Sequence, residues 1–145
     1  PVSGELVNLE KTNDPAFSSR AVGDGVAVVP QEGTVCAPVS GTVAALFPTE
    51  HALGIMSDDS SAQVMLHIGI DTVKLEGKGF HALVAQGDHV DAGQPLVEVD
   101  FDVVRAAGFD PTVFVIVCER SENSTLREHA SGPVAVKEPV VWLSE

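Results

Sequence analysis

Two histidines sixteen residues apart stand where they could do chemistry: His51 in "FPTEHALGIM" and His67 in "QVMLHIGIDTV". His67 interrupts a run with the make-up of a buried strand. Alternation predicts that Val64, Leu66, Ile68 and Ile70 face the core, and that Met65, His67, Gly69 and Asp71 face the other way. A glycine within a strand often marks the close approach of a backbone or a ligand, and Gly69 is expected to leave the His67 ring uncovered. A lone strand histidine is ordinarily structural, but His51 changes the balance. The turn signal "SDDSSA" predicts that segments 52–57 and 62–68 pair as a hairpin, with His51 close to opposite His67. If the first strand begins by Thr49, then Thr49, His51, Leu53 and Ile55 share a face.

Adjacent imidazoles suit metal binding, acid–base work or capture of a phosphoryl group. Imidazole titrates near neutrality, so it serves both as nucleophile and as proton store. A metal needs a third and usually a fourth ligand. Asp71 could give one, yet HxH, HExxH and paired-cysteine patterns are all missing. Phosphoryl transfer asks for less. One histidine attacks phosphorus, while the other, oriented by a hydroxyl such as Thr49, donates a hydrogen bond to the phosphoryl oxygens. With no Walker or kinase glycine loop in the sequence, the expected donor is a protein rather than a nucleotide.

The elements around these residues read as many short strands. Valine, isoleucine and threonine recur in runs broken by glycine, proline and aspartate about every ten residues, the pattern of an all-β sandwich or barrel. Strands are expected at 5–9, 25–29, 34–36, 41–47, 52–57, 62–68, 80–85, 95–101, 112–118, 132–136 and 139–143. One short helix is expected at "DVVRAAG", with Asp102 as N-cap and Gly108 as its stop. The segment "RSENSTLREH" reads as a loop or a last helical turn.

The 145 residues suit one domain, 1–145, with 44% hydrophobic residues to build a core. Acidic residues outnumber basic ones 21 to 8, for a net charge of −13. Such a surface repels nucleic acid and anionic membranes. It favours a partner with a basic face, whose association should slow with added salt. Cys36 and Cys118 lie in apolar settings outside any CxxC pair and read as buried thiols of a reducing compartment. Apolar runs such as "TVFVIVC" are too short to span a bilayer, and no charged-then-apolar leader is present. A start at Pro1 without methionine is expected either of a trimmed chain or of a piece of a longer polypeptide.

The run "HIGIDTVKLEGKGF", with upstream "APVSGTV" and "TEHA", closely resembles the IIA domain of the glucose family of the bacterial phosphoenolpyruvate-dependent sugar phosphotransferase system. The similarity extends from "PVSGELVNLE" through "VGDGVAVVP" and "GDHVDAGQPLVEVDF" to the last strands. It implies an antiparallel β-sandwich with Greek-key and jelly-roll features and no cofactor. It also implies a cytoplasmic domain, stand-alone or tethered through a fused permease. By that resemblance, His67 takes phosphate from the phosphocarrier protein HPr and gives it to a cysteine of a IIB domain. His51 supports the phosphoryl group and passes it on, and the Thr49 hydroxyl orients His51. Asp14 and Asp71 match acidic positions on the rim of the docking surface, and Phe17 and Phe47 match its apolar patch. Leu53 and Met65 stand where aromatic residues are common in that patch, and Met65 and Gly69 are expected on the partner-binding face. Paired imidazoles of this kind would hold zinc only once a partner supplied a carboxylate.

Three rivals are weaker or compatible. A biotinyl or lipoyl carrier would need an MKM- or DKA-like setting, which Lys74 and Lys78 lack. A zinc hydrolase like the lysostaphin endopeptidases would need an HxH pair, and residue 65 is methionine. A regulatory module that binds transporters or enzymes according to its phosphorylation state would coexist with phosphoryl transfer.

Overall fold

The computed structural model describes residues 4–8, 24–30, 33–58, 62–70, 72–120, 125–128, 132–134 and 141–144. Thirteen strands are found among them: β1 (Gly4–Asn8), β2 (Asp24–Pro30), β3 (Thr34–Cys36), β4 (Gly41–Leu46), β5 (Ala52–Ser57), β6 (Ala62–Ile68), β7 (Phe80–Ala82), β8 (His89–Val90), β9 (Pro95–Val99), β10 (Val113–Arg120), β11 (Thr125–Glu128), β12 (Gly132–Val134) and β13 (Val141–Ser144). One sheet has the order β12-β1-β2-β10-β6-β5-β4-β8, a smaller one the order β3-β9-β7, and β11 pairs with β13. The pairings are antiparallel. β10 lies between β2 and β6, strands far from it in sequence, as a Greek-key arrangement requires.

The two larger sheets face each other across one apolar core. Val26, Val28, Leu53, Ile55, Leu66, Ile68, Val113 and Val115 enter it from the eight-stranded sheet, and Val35, Phe80, Leu96, Val97 and Val99 from the three-stranded one. Each such fully buried side chain contributes roughly 1.5–3 kcal/mol over an exposed one. This burial fixes the parity of β6, since Val64, Leu66 and Ile68 are 6%, 1% and 0% exposed. The alternation holds as far as Ile68, where the strand ends. Ile70, expected in the core, instead packs with Met65 against a second cluster of Ala27, Phe114 and Ile116. The bend after Ile68 has shifted the side-chain phase.

The strand reading captured most elements and missed some. The two-residue β8 and the 3-10 turn Thr72–Leu75 were not foreseen, and Thr125–Glu128 is a strand rather than a loop or helical turn. The helix, α1, covers Phe101–Ala106, and its N-cap is Asp100, not Asp102. The Asp100 Oδ1 accepts from the backbone N–H groups of Asp102 and Val103 at 3.1 and 3.3 Å. Burial of Phe101 draws that residue into the first turn, so the cap falls on the aspartate before it. Gly108 does end the helix, at φ 88°. Cys36 is buried at 2% exposure, and the side chain of Cys118 lies outside the described residues.

Candidate functional site

His67 sits on β6, and its ring belongs to the face turned away from the main core. Ala52 of β5 is its cross-strand partner on one side and Phe114 of β10 on the other. Met65, two residues back, lies between Gly54 and Ile116. Phe114 and Ile116 are fully buried, and Met65, half-buried, packs against them. The Phe114 ring stands 6.3 Å from that of His67, tilted by 70°. His67 therefore rises from an apolar floor built on the outer face of the large sheet.

Its ring is oriented by the chain that follows. Nδ1 of His67 donates to the Gly69 carbonyl oxygen at 2.7 Å. A carbonyl can only accept, so the neutral ring carries its proton on Nδ1 and its lone pair on Nε2. Gly69 can present that carbonyl because its φ is +81°. A Cβ there would also run into Thr72 Cγ2 and meet the Asp110 carbonyl oxygen at 3.0 Å. The bend is pinned by Gly69 N–H donating to Thr112 O, Ile70 N–H to Asp110 O, and the Thr72 hydroxyl to Ile68 O. Gly69 was expected to uncover the ring on a docking face. It is itself buried, and its part is to hold His67.

Gly69→Ala is expected to lower stability by about 2–4 kcal/mol, from the left-handed backbone and from overpacking against Thr72. Urea unfolding measures the loss, and a change under about 1 kcal/mol would show that the bend relaxes freely.

His51 arrives by a different route from the one the alternation suggested. β5 begins at Ala52, and Leu53 and Ile55 point into the core, each 1% exposed. Shared parity would have turned His51 into the main core with them, away from His67, and Leu53 is thus a core residue rather than part of a patch. The turn before β5 is what carries His51 to its place. Phe47 N–H donates to Ala52 O, Glu50 N–H to Phe47 O, and Ile68 N–H to His51 O. Glu50 takes φ 62°, a left-handed conformation uncommon for a side-chain-bearing residue. The result sets the His51 and His67 rings 5.2 Å apart at 85°. Thr49 Oγ1 lies 2.5 Å from His51 Nδ1. Phe47, 47% exposed, puts its ring edge-on to His51 at 5.5 Å.

His51 is only 3% exposed. Burial first, and then the neighbouring His67, lower its pKa below the ordinary 6.5, which keeps the ring neutral at physiological pH. Protonation is then harder in the fold than in the unfolded chain, so the unfolded state binds more protons just below that value. The stability His51 contributes is whole above 6.5 and is lost as pH falls through the lowered folded pKa. The unfolding midpoint should thus drop more steeply below pH 6.5 in the wild type than in His51→Gln. Equal slopes would contradict the lowered pKa.

The structure brings together His67, His51, Thr49, Phe47 and Met65. Asp14, Phe17 and Asp71 lie outside the described residues. Among the described residues no group of three or more His, Cys, Asp or Glu side chains could hold a metal ion. Sequence reasoning overlooked Phe114, Ile116 and the Gly69 carbonyl. The signal for the first two was present: "TVFVIVC" is apolar at both parities, as a strand covered on both faces must be.

Two oriented imidazoles thus stand side by side on the outer face of a β-sandwich. Residues 1–123 match the family described as "phosphoenolpyruvate-dependent sugar phosphotransferase system, EIIA 1", and the chain belongs to that family. It is 42% identical over 137 residues, 94% of its length, to the glucose-specific EIICBA component of Streptococcus pneumoniae, of which it covers 19%. To the β-glucoside-specific EIIBCA component of Bacillus subtilis it is 42% identical over 144 residues, 99% of its length and 24% of the relative's. The chain thus spans about a fifth to a quarter of these relatives. The solved structure of glucose permease IIA from Mycoplasma capricolum superposes with a TM-score of 0.89 at 35% identity, covering 97% of this chain and 90% of that one.

Among the described residues no helix is long and apolar enough to cross a membrane.

Proposed function

We propose that residues 1–145 form a single phosphocarrier domain that takes a phosphoryl group from phospho-HPr on His67 and hands it to the cysteine of a IIB domain during sugar uptake. The observation that carries this reading is the His67 Nδ1–Gly69 carbonyl hydrogen bond, which places the nucleophilic lone pair on Nε2. In the first step that lone pair forms a P–N bond to phosphorus. The donor's own P–N bond breaks, and its electron pair returns to the donor imidazole. In the second step a thiolate attacks phosphorus, and the electron pair of the His67 P–N bond returns to Nε2. Both steps are in-line displacements in which positioning and charge stabilisation do most of the work.

His51 supplies the stabilisation. When the Thr49 hydroxyl donates to Nδ1 of His51, the ring proton sits on Nε2, where it can donate to a phosphoryl oxygen. A buried, neutral donor serves this better than an imidazolium, because it does not trap the dianionic group as an ion pair. Phe47 and Met65 are assigned to the docking surface, and the family resemblance assigns Asp14, Phe17 and Asp71 to it as well, the acidic groups meeting a basic partner. The fusion implied by the relatives' EIICBA and EIIBCA names supports a IIB partner and a cytoplasmic site of action beside a permease.

The reading is tested by incubating the chain with phosphoenolpyruvate, enzyme I and HPr and measuring intact mass. Gain of one acid-labile phosphoryl group is the expected result. A chain that stays unmodified while a known IIA domain is labelled alongside overturns the proposal.

A further inference from the structure

The turn that delivers His51 is held from the opposite sheet by one side chain. Oε2 of Glu50 accepts the backbone N–H of Ala82 at 3.2 Å, across 32 residues of sequence. Ala82 belongs to β7, the edge of the three-stranded sheet, while the turn leads into β5 of the eight-stranded one. Glu50 also occupies the turn's left-handed position, at φ 62°. That conformation costs an ordinary residue roughly 1–2 kcal/mol and persists only where surrounding bonds hold it. The remaining bonds of the turn stay within it, from Phe47 N–H to Ala52 O and Glu50 N–H to Phe47 O, or tie it to the neighbouring strand of its own sheet, from Ile68 N–H to His51 O. Among the described residues, the Glu50 carboxylate is the group of this turn that bonds across to the other sheet.

We propose that Glu50 is a positioning residue: by accepting the Ala82 N–H it locks the turn 47–51 against β7 and so sets Thr49 and His51 relative to His67. Its importance for transfer rests on the phosphocarrier reading, but the positioning itself does not. Glu50 touches neither phosphoryl group nor partner in this role; it acts through its neighbour. A glycine at residue 50 would relieve the backbone and lose the clamp, so the two contributions can be separated. Asparagine tolerates the left-handed backbone but is too short to reach Ala82. Glutamine keeps the acceptor oxygen and the reach.

The test compares wild type with Glu50→Gly, Glu50→Asn and Glu50→Gln in two measurements. The first is the ring 15N spectrum of His51 and His67 in the unphosphorylated protein. The second is the rate of phosphoryl discharge from His67 to a IIB domain. Glu50→Gly and Glu50→Asn should move the Nδ1 resonance of His51 as its bond to Thr49 loosens, leave the His67 resonances in place, and slow discharge about tenfold, a modest share of what an ångström of misplacement can cost. Glu50→Gln should restore both. If the glycine chain fails to fold, the asparagine chain carries the test. His51 resonances unchanged in folded Glu50→Gly or Glu50→Asn overturn the proposal, as does a lower melting temperature with no change in the His51 ring. A wild-type chain that accepts no phosphoryl group refutes the phosphocarrier reading and leaves the clamp to be judged on the ring spectrum.

Discussion

His67→Ala, incubated with phosphoenolpyruvate, enzyme I and HPr, gains no phosphoryl group, and the acceptance rate falls by at least about a thousandfold, the scale of losing an essential nucleophile. The loss should be nearly complete because His51 cannot stand in for it. Its Nδ1 is engaged by Thr49, and its ring is only 3% exposed. His67 by contrast is only half-buried, and its Nδ1 is satisfied by a group that can accept but never donate. The substitution should leave the fold intact, since His67 belongs to the outer face and the core side chains of β6 are untouched. Intact-mass measurement reads the result directly. A His67→Ala chain that still gains acid-labile phosphate would move the acceptor to another residue and end this assignment.

His51→Gln separates the two half-reactions. The variant is expected to accept phosphate from phospho-HPr within a few-fold of wild type, yet to pass it to a IIB domain about a hundredfold or more slowly, the typical cost of one transition-state hydrogen-bond donor. The asymmetry follows from the partners. A phosphohistidine donor is already reactive, and His67 needs only its lone pair to receive from it. Transfer to a thiolate must bring one anion up to another. An N–H directed at the phosphoryl oxygens then matters most, and the glutamine amide is neither anchored by Thr49 nor edged by Phe47 as the imidazole is. Rapid-quench measurement of each step decides the matter. Equal slowing of both would show that His51 serves acceptance and release alike.

Much of this was legible in the residues, for reasons that can be named. Strands such as 34–36, 52–57 and 62–68 were fixed at both ends by glycine, proline and aspartate, and they fall as expected. The parity of Val64, Leu66 and Ile68 was readable because a single polar residue broke an otherwise apolar run. What failed did so where tertiary contacts override local pattern. Ile70 lies past the strand's end, in a bend whose geometry depends on Thr112 and Asp110, forty residues away. Leu53 was assigned to the working face by assuming that β5 reached back to Thr49; in fact Glu50 reverses the backbone, and strand parity starts only at Ala52. The nearness of His51 to His67 was thus inferred correctly from an incorrect path. Asp102 was taken for the cap because two aspartates flank Phe101, and only the burial of that ring selects Asp100. The left-handed position of Gly69 had no signature beyond glycine itself.

β10 has a bearing on the site that goes beyond supplying Phe114. Val113, Val115 and Val117 are covered by the main core, while Phe114 and Ile116 are covered by the outer cluster. The strand is therefore dry on both sides and hydrogen-bonded along both edges, to β2 and to β6. Segments of that kind open only with the whole molecule, whereas turns and sheet margins open on their own. The amides of β10, and of β6 beside it, are therefore expected to exchange only with global unfolding and those of the turn 47–51 earlier, which hydrogen exchange measures. On the phosphocarrier reading, the proposed acceptor then stands on the most firmly held part of the sheet, and His51 on a turn whose place depends on its bond to β7.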